Sequence, residues 1–566
     1  MIEAVDETGI PSGRLVPEGD NWADVRHRFR WRIPDRFNIA AAVCDRHADS
    51  DATALVVLDS ASGAAHELDF GWFRDGSRRL ANVLTAHGIT RGDRIGVLLG
   101  QCPETALAHL ATYRMGAIAM PLFTAFGEDA LAYRLGHAGA TALVTHVDQL
   151  DKLASIRDRV PDLRLVLAIG GEGRPLPDGV RDFGAELARA SDRFEMVDTA
   201  ADDPALLIYT SGTTGPPKGA LHAHRVLLGH LPGVEVPHDG FPVAGDRFWT
   251  PADWAWIGGL LDVLLPAWFH RVPVVASRAM RFDPEAAFEL MAGAGVRNVF
   301  LPPTALRMLR EVPDPARFGH RLRSIGTGGE TMGAELLDWG REALGVTIHE
   351  FYGQTECNLV LGNCEGLAPV IPGAMGRPIP GHHVEIVDDE GHPLPAGEEG
   401  DVAVRAPDPV MFLGYWRDEA ATRAKFRGEW LVTGDRAIRD REGCFHFVGR
   451  DDDVITSAGY RIGPGEIEDC LVAHPSIALA AAVGVPDPVR TQTIKAFVVL
   501  RQGVPPSATL EAEIRDHVRR RLAAHEVPRR IEFVPALPTT ATGKIRRRDL
   551  REREAERIAR DQGAAP

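Results

Sequence analysis

The sequence predicts an α/β protein. It has a large N-terminal domain of two doubly wound α/β subdomains plus a small β-barrel, and a smaller mobile C-terminal α+β domain. Three observations point there. Apolar strand-like runs alternate with helical periodicity over much of the chain. Between Gly373 and Gly449 the texture changes to short alternating strands punctuated by Glu390-Gly391 and Glu442-Gly443. Beyond Asp451 a compact β/α pattern resumes, so residues 1–451 and 452–566 are read as the two domains. With 566 residues there is ample material for large cores.

In chain order, Phe37 to Cys44 opens the apolar-periodic part, and Phe73 to His87 reads as an amphipathic helix ending at Gly88. Asp93 to Leu99 is a buried strand, Pro103 to Met115 a helix with proline in its first turn, and Ala117 to Leu122 another strand. Leu143 to His146 and Leu163 to Ile169 repeat the strand signal. A second series runs through the apolar segments Leu260 to Leu265 and Val272 to Ala276, the helix Pro284 to Ala294, and then Val299 to Pro302 and Arg323 to Gly326. Strands are expected at Val384 to Val387, Val402 to Arg405 and Phe445 to Val448 in the β unit. The C-terminal piece has strands at Ala478 to Val483, Lys495 to Leu500 and Ile531 to Val534, with Leu510, Ile514, Val518 and Leu522 on one helix face. Arg548 to Arg560 reads as a charged, solvated helix.

Composition excludes several classes. Hydrophobic content of 45% and charged content of 25% are those of an ordinary globular protein. A formal charge of −16 disfavours nucleic acid and anionic membrane as partners, despite Arg519-Arg-Arg521 and Arg546-Arg-Arg548. The six cysteines form no C-x-x-C pair, which fits a reducing compartment. The acidic first residues argue against a secretory signal or transit peptide, and no apolar run approaches the ~20 residues that span a bilayer. A cytoplasmic location is expected.

The chemistry centres on Tyr209-Thr-Ser-Gly-Thr-Thr-Gly-Pro-Pro-Lys-Gly219, which follows the apolar run Pro204 to Tyr209. A strand emptying into small and hydroxyl residues closed by one lysine lets backbone N–H groups approach an anion closely. Ser211, Thr213 and Thr214 add neutral donors and Lys218 a point charge suited to polyphosphate. The Walker pattern is absent, because Lys218 follows Pro216-Pro217 and precedes Gly219. Taken alone, the stretch reads first as a solvated turn between two elements.

Further stations follow. Gly326-Thr-Gly-Gly-Glu330 lacks the third glycine of a dinucleotide fingerprint and reads as close backbone approach to a flat ring, or as a plain turn. Phe351-Tyr-Gly-Gln-Thr-Glu356 sets an aromatic pair before polar groups and a carboxylate able to hold Mg²⁺. Thr433-Gly-Asp-Arg436 places a carboxylate in what reads as a strand-end turn, suited to ribose hydroxyls. Gly449-Arg450, Asp451-Asp452-Asp453 and Ser457-Ala-Gly-Tyr-Arg461 follow; the aspartate run is either a solvated turn or a metal-binding stretch. Last comes Pro538-Thr-Thr-Ala-Thr-Gly-Lys-Ile545.

In this order the stretches resemble the acyl-CoA synthetase branch of the adenylate-forming (AMP-binding) superfamily, in particular the acetyl- and medium-chain acyl-CoA synthetases. The likeness runs from Gly92-Asp93-Arg94 to Arg551. It implies an AMP-forming acid–thiol ligase using ATP, Mg²⁺ and CoA; an enzyme passing its adenylate to a carrier protein or amine is the alternative. By the resemblance, Thr210, Ser211, Gly212, Thr213, Thr214, Gly215 and Lys218 wrap the β- and γ-phosphates. Gly328, Gly329 and Glu330, with Glu350, Phe351, Tyr352, Gly353, Gln354 and Thr355, hold adenine, and Glu356 binds Mg²⁺. Asp435 and Arg450 grip the ribose, Arg461 faces phosphate, and Lys544 bridges the acid and the α-phosphate. Lys544, Lys218, Thr355 and Glu356 are thus the expected catalytic set.

Asp452 falls at the interdomain hinge, and Ser457, Gly459 and Tyr460 line the CoA path. Asp253, Trp254, Trp256, Gly328 and Gly353 line the acyl pocket, although Trp256 equally fits core packing. Acetate-dedicated members carry tryptophan at the place of Gly353; its absence leaves room for a medium-chain, branched or aromatic acid. The motif around Lys544 is one that acyltransferases modify in relatives, so acetylation is expected to switch it off by removing its charge.

Overall fold

The computed structural model describes residues 9–58, 65–171, 173, 175–210, 216–277, 282–330, 332–450, 453, 455–457, 460–487, 491–522, 526–540 and 544–563. Among them the strands form three sheets. In the first, the order in space is Gly414–Tyr415, Lys218–Ala223, Pro204–Thr210, Ile118–Pro121, Arg94–Leu98, Ala142–His146, Leu165–Ile169 and Val180–Asp182. From Pro204–Thr210 onward the pairings are parallel. Strands covered on both faces need no polar side, which is why Leu165–Ile169 is apolar and buried throughout. The helix Phe70–Ala86 begins earlier than its periodicity implies, because the Asp69 carboxylate accepts from Trp72 N and caps it there. The helix Pro103–Arg114 is buried from Thr105 on, and its one deep cation, Arg114, forks onto Asp45 with two bonds of 2.7 Å.

The second sheet contains the parallel strands Asn298–Phe300, Ser324–Gly328 and Ile348–Gln354. It continues antiparallel through Cys357–Gly362 and Ala374–Pro378 into Phe445–Arg450, Trp430–Arg439, Glu399–Arg405 and Val384–Val387. The expected β-barrel is therefore corrected: among the described residues these strands do not close on themselves but run on from the second α/β sheet. The apolar run Leu260 to Leu265 is helical, with a single π turn at Leu260–Leu264. Thr433-Gly-Asp lies inside the strand Trp430–Arg439, not at its end; Gly434 takes φ +80, next to the irregular pairing of that strand.

Sheet membership changes between Phe445–Arg450 and Ile455–Ser457, and residues 451, 452 and 454 lie outside the described set. The third sheet joins Tyr460–Ile462, Ile455–Ser457, Thr491–Leu500 and Ile477–Asp487, with Arg530–Phe533 parallel to Thr491–Leu500. The helix Arg547–Gly563 is not simply solvated. Leu550 and Glu554 are buried, and Glu554 meets the buried Lys495 ammonium at 2.6 Å. Arg551 reaches Asp453 at 2.5 Å, and Arg547 clamps Glu468.

A buried ammonium is costly without its counter-charges. Glu532 remains as a second partner of Lys495 at 2.6 Å, so Glu554→Leu is expected to destabilise the C-terminal unit by about 2 kcal/mol in urea unfolding. Arg560→Ala, at an exposed ion pair, is expected to stay within about 0.5 kcal/mol of wild type.

Candidate active site

The site is built on the ends of two neighbouring parallel strands, Ser324–Gly328 and Ile348–Gln354, in register Gly328 to Phe351. The flat ring that the Gly326-Thr-Gly motif approaches is the protein's own. A Cβ on Gly326 or Gly328 would stand 2.7 Å from the Phe351 ring, so only glycine lets the strands close at that spacing. Phe351 in turn lies on Phe300, ring centroids 5.4 Å apart. Beyond Gly328 the chain turns at Gly329, φ +94. Glu330 then points to Arg307, at 3.2 Å, and to Thr304.

From the other strand, Tyr352 donates its hydroxyl to Asp435 Oδ2 at 2.6 Å, and Gln354 Nε2 donates to the same oxygen at 2.5 Å and to Thr433 O at 3.0 Å. Two expected stations, one in each half of the second sheet, thus meet through one carboxylate. Arg450 pairs by its backbone with Asp435. Glu350 is buried; burial pushes its carboxyl well above the ordinary range while Met332 N–H holds it from 3.2 Å. Gly353 sits where a Cβ would be 2.3 Å from Leu359 N. Backbone packing against Asn358 and Leu359 therefore demands glycine there, and a tryptophan at this position would require that strand to shift.

The next turn carries Thr355 and Glu356. Glu356 is 7% exposed and accepts a hydrogen bond from the Tyr415 hydroxyl. The Lys218 ammonium stands over the Tyr415 ring, 5.2 Å from its centroid. The strand Lys218–Ala223 pairs with Gly414–Tyr415, Tyr415 opposite Ala220. That pairing brings the lysine of the first sheet to the carboxylate of the second. Tyr415 was not singled out from the sequence; its signal was an aromatic pair, Tyr415-Trp416, ahead of the charged run Arg417-Asp-Glu419. Thr210 faces Lys218 across the adjoining pair.

Lys544 arrives from the C-terminal unit. Its turn is held by Thr540, whose N–H donates to Lys544 O at 2.7 Å and whose hydroxyl accepts from Lys544 N at 3.1 Å. Its Cε and Nζ lie 3.4 and 3.8 Å from where a Cβ on Gly329 would be. The lysine at the chain's far end is therefore brought to the strand-end turn that leads on to Glu330.

Other expected residues are placed as follows. Trp254 is fully buried in the core. Trp256 is half-buried against Phe123 and Phe126, at 5.5 and 6.0 Å. Burial raises the Asp253 carboxyl to about 6, against an Ala255 N–H that donates to it. Ser457 is buried in the strand Ile455–Ser457. Ser211, Gly212, Thr213, Thr214, Gly215, Asp452 and Gly459 lie outside the described residues, as do the side chains of Arg450, Tyr460 and Arg461.

Comparison with known proteins agrees with this geometry. The AMP-binding enzyme family matches residues 42–416, and the AMP-binding enzyme C-terminal domain matches residues 466–544. The chain belongs to the AMP-binding enzyme family. It is 33% identical over 556 residues to the mitochondrial acyl-coenzyme A synthetase ACSM3 of Rattus norvegicus, covering 95% of this chain and 94% of that one. It is 35% identical over 537 residues to the acetyl-coenzyme A synthetase of Bacillus subtilis (strain 168), covering 94% and 93%. The crystal structure of the anthranilate CoA ligase AuaEII in complex with anthranoyl-AMP superposes with a TM-score of 0.84 at 29% identity, covering 93% of this chain and 99% of that one. In this AMP-binding enzyme no described helix is long and apolar enough to cross a membrane.

The two tyrosine–carboxylate bonds differ in what remains after their loss. In Tyr352→Phe, Gln354 still donates to Asp435. In Tyr415→Phe, Glu356 loses the one side-chain donor it has among the described residues. Tyr415→Phe is accordingly expected to cost about 1–3 kcal/mol in equilibrium unfolding and Tyr352→Phe less than half of that.

Proposed function

We propose that the protein is an ATP-dependent carboxylic acid–CoA ligase that forms AMP and pyrophosphate. The observation that carries this reading is Lys544 beside Gly329, on the same pair of strand ends that leads to Glu356, Tyr415 and Lys218. A carboxylate is a poor acyl donor because oxide would have to leave. In the first step the acid's carboxylate oxygen attacks the α-phosphorus of ATP and pyrophosphate departs. Negative charge gathers around that phosphorus, and Lys218 and Lys544 stabilise it. In the second step the CoA thiolate attacks the acyl carbonyl and AMP leaves. Neither step needs a protein nucleophile, in keeping with six buried cysteines.

Glu356 fits a divalent cation: it is a buried carboxylate with Oε1 held by Tyr415, and no described residue donates to Oε2. Mg²⁺ bound there would offset phosphate charge. Asp435, fixed by Tyr352 and Gln354, suits ribose hydroxyls as an acceptor. The small domain, residues 452–566, carries Lys544 in and, by turning about Asp452, withdraws it for thioester formation, when Ser457, Gly459 and Tyr460 face CoA.

The acid is medium-chain, branched or aromatic rather than acetate, since Gly353 carries no plug and the aromatic cluster of Trp256, Phe123 and Phe126 offers a wide apolar wall. AMP release measured with acids from acetate to decanoate, plus benzoate, is expected to be slowest with acetate; acetate as the best substrate would overturn that assignment.

Lys544→Ala is expected to lower acid-dependent ATP–pyrophosphate exchange by about 10²-fold or more while sparing thioester formation from supplied acyl adenylate. Equal loss of both would refute the division of labour between the two steps.

A further inference from the structure

Within the apolar stretch Trp254 to Phe269 a single charged residue occurs, Asp262, and the mechanism above makes no use of it. It lies on the π turn Leu260–Leu264, among leucines and valine, and is 4% exposed. Such turns recur where a helix is bent to serve a site. Asp262 Oδ1 accepts from Asn358 Nδ2 at 2.5 Å. No described residue donates to Oδ2. That oxygen faces Gly258, 3.5 Å from where a Cβ would stand. Gly258 is itself partly exposed, so a side chain there would cover the oxygen and glycine leaves it reachable. Phe300 lies 2.8 Å from the same Cβ position, and Phe300 lies on Phe351 of the site. Asn358, for its part, packs against Gly353.

The acid is therefore wedged between Gly258, Phe300 and Asn358. Each of these touches residues of the site or continues its Trp254-to-Trp256 wall. Keeping a carboxyl in an apolar core with one amide partner is unfavourable unless something else uses its second oxygen. Burial pushes this carboxyl well above the ordinary range, and a donor that meets Oδ2 would favour its carboxylate form again.

We propose that Asp262 reads a hydrogen-bond donor on the acid substrate, so that the pocket takes a carboxylic acid bearing a hydroxyl or amino group away from its carboxylate. This rests on the ligase reading and on residues 253–258 lining the acid pocket. Such a group would meet Oδ2 across Gly258 while the reacting carboxylate lies towards Lys544. A site built to hydrogen-bond a substrate group discriminates against the analogue that lacks it, because its own polar atom is then left unpaired.

The test compares matched acids by kcat/KM for AMP release with saturating ATP and CoA: benzoate against 3- and 4-aminobenzoate and 4-hydroxybenzoate, and hexanoate against 6-hydroxyhexanoate. Wild type is expected to prefer the donor-bearing member of at least one pair by about 10–100-fold. Asp262→Asn, of equal size, and Asp262→Leu should shrink that ratio by tenfold or more, with the loss mainly in KM. If Asp262→Leu fails to fold, Asp262→Asn carries the comparison, its fold checked by thermal melting. A structural Asp262–Asn358 pair would instead lower all acids alike and leave the ratio intact, which overturns the proposal. So would a wild type that turns over the plain acid best in every pair, a result that leaves the ligase reading standing. AMP release with no acid at all would remove both.

Discussion

The structure depends on how closely two parallel strands approach at Gly326, Gly328 and Phe351. Removing Cβ atoms from one strand lets the phenylalanine of its neighbour lie flat against the backbone, with only 2.7 Å to spare for an atom that is not there. The consequence is positional. With Phe351 turned onto Gly328 and Phe300, alternation along the strand sends Tyr352 towards Asp435. Two residues later Gln354 joins it, and the following turn delivers Glu356 to Tyr415. Packing decides where the polar groups stand before any electrostatic interaction acts.

Three carboxylates near this frame are treated differently. Asp435 is gripped by two donors from one strand and is presented as an acceptor. Glu356 keeps one bond, to a hydroxyl whose ring also supports the Lys218 ammonium, so cation and anion are held on the two ends of one tyrosine. Glu350 is sealed in with a single backbone N–H, and burial favours its neutral form. Three carboxylates thus stand as a doubly held acceptor, a singly held group beside a lysine, and a sealed strut.

Much of this was legible in the sequence because its carriers are local. The alternation of buried strands and helices located the first sheet, and the order of the short polar motifs pointed to the stations that meet at the strand ends. What was not legible is what depends on partners distant in sequence. Trp430–Arg439 is a ten-residue strand that carries Thr433-Gly-Asp in its middle; a glycine inside it read as an end because the bulge that needs it is set by the neighbouring strand. Tyr415 gained its place only through pairing with Lys218–Ala223, some two hundred positions earlier. The helix Arg547–Gly563 looked solvated because the partners of its charges, Lys495, Glu468 and Asp453, lie on other elements. Asp262 did leave a local mark, one acid in an apolar run, but the run was read for its periodicity and not for its exception.

The C-terminal unit holds its own buried charges in pairs. Inside it, Lys495 and Glu554 are both buried, and Arg547 and Arg551 share Asp453 beside the domain junction. Across the junction the described contacts include Arg501 with Glu311, an ion pair of 2.5 Å whose glutamate is half exposed, a kind worth about 0–1 kcal/mol. One approach across it is backbone to backbone: Gly463 leaves no room for a Cβ, which would fall 1.7 Å from Val448 O. That approach lies close in sequence to the junction, where rotation displaces atoms least, whereas Arg501 and Lys544 lie further along the chain. A turn of the small unit would break the Arg501–Glu311 pair and leave the Lys495–Glu554 pair intact. The proposed withdrawal of the Lys544 charge between the two half-reactions would use a turn of this kind.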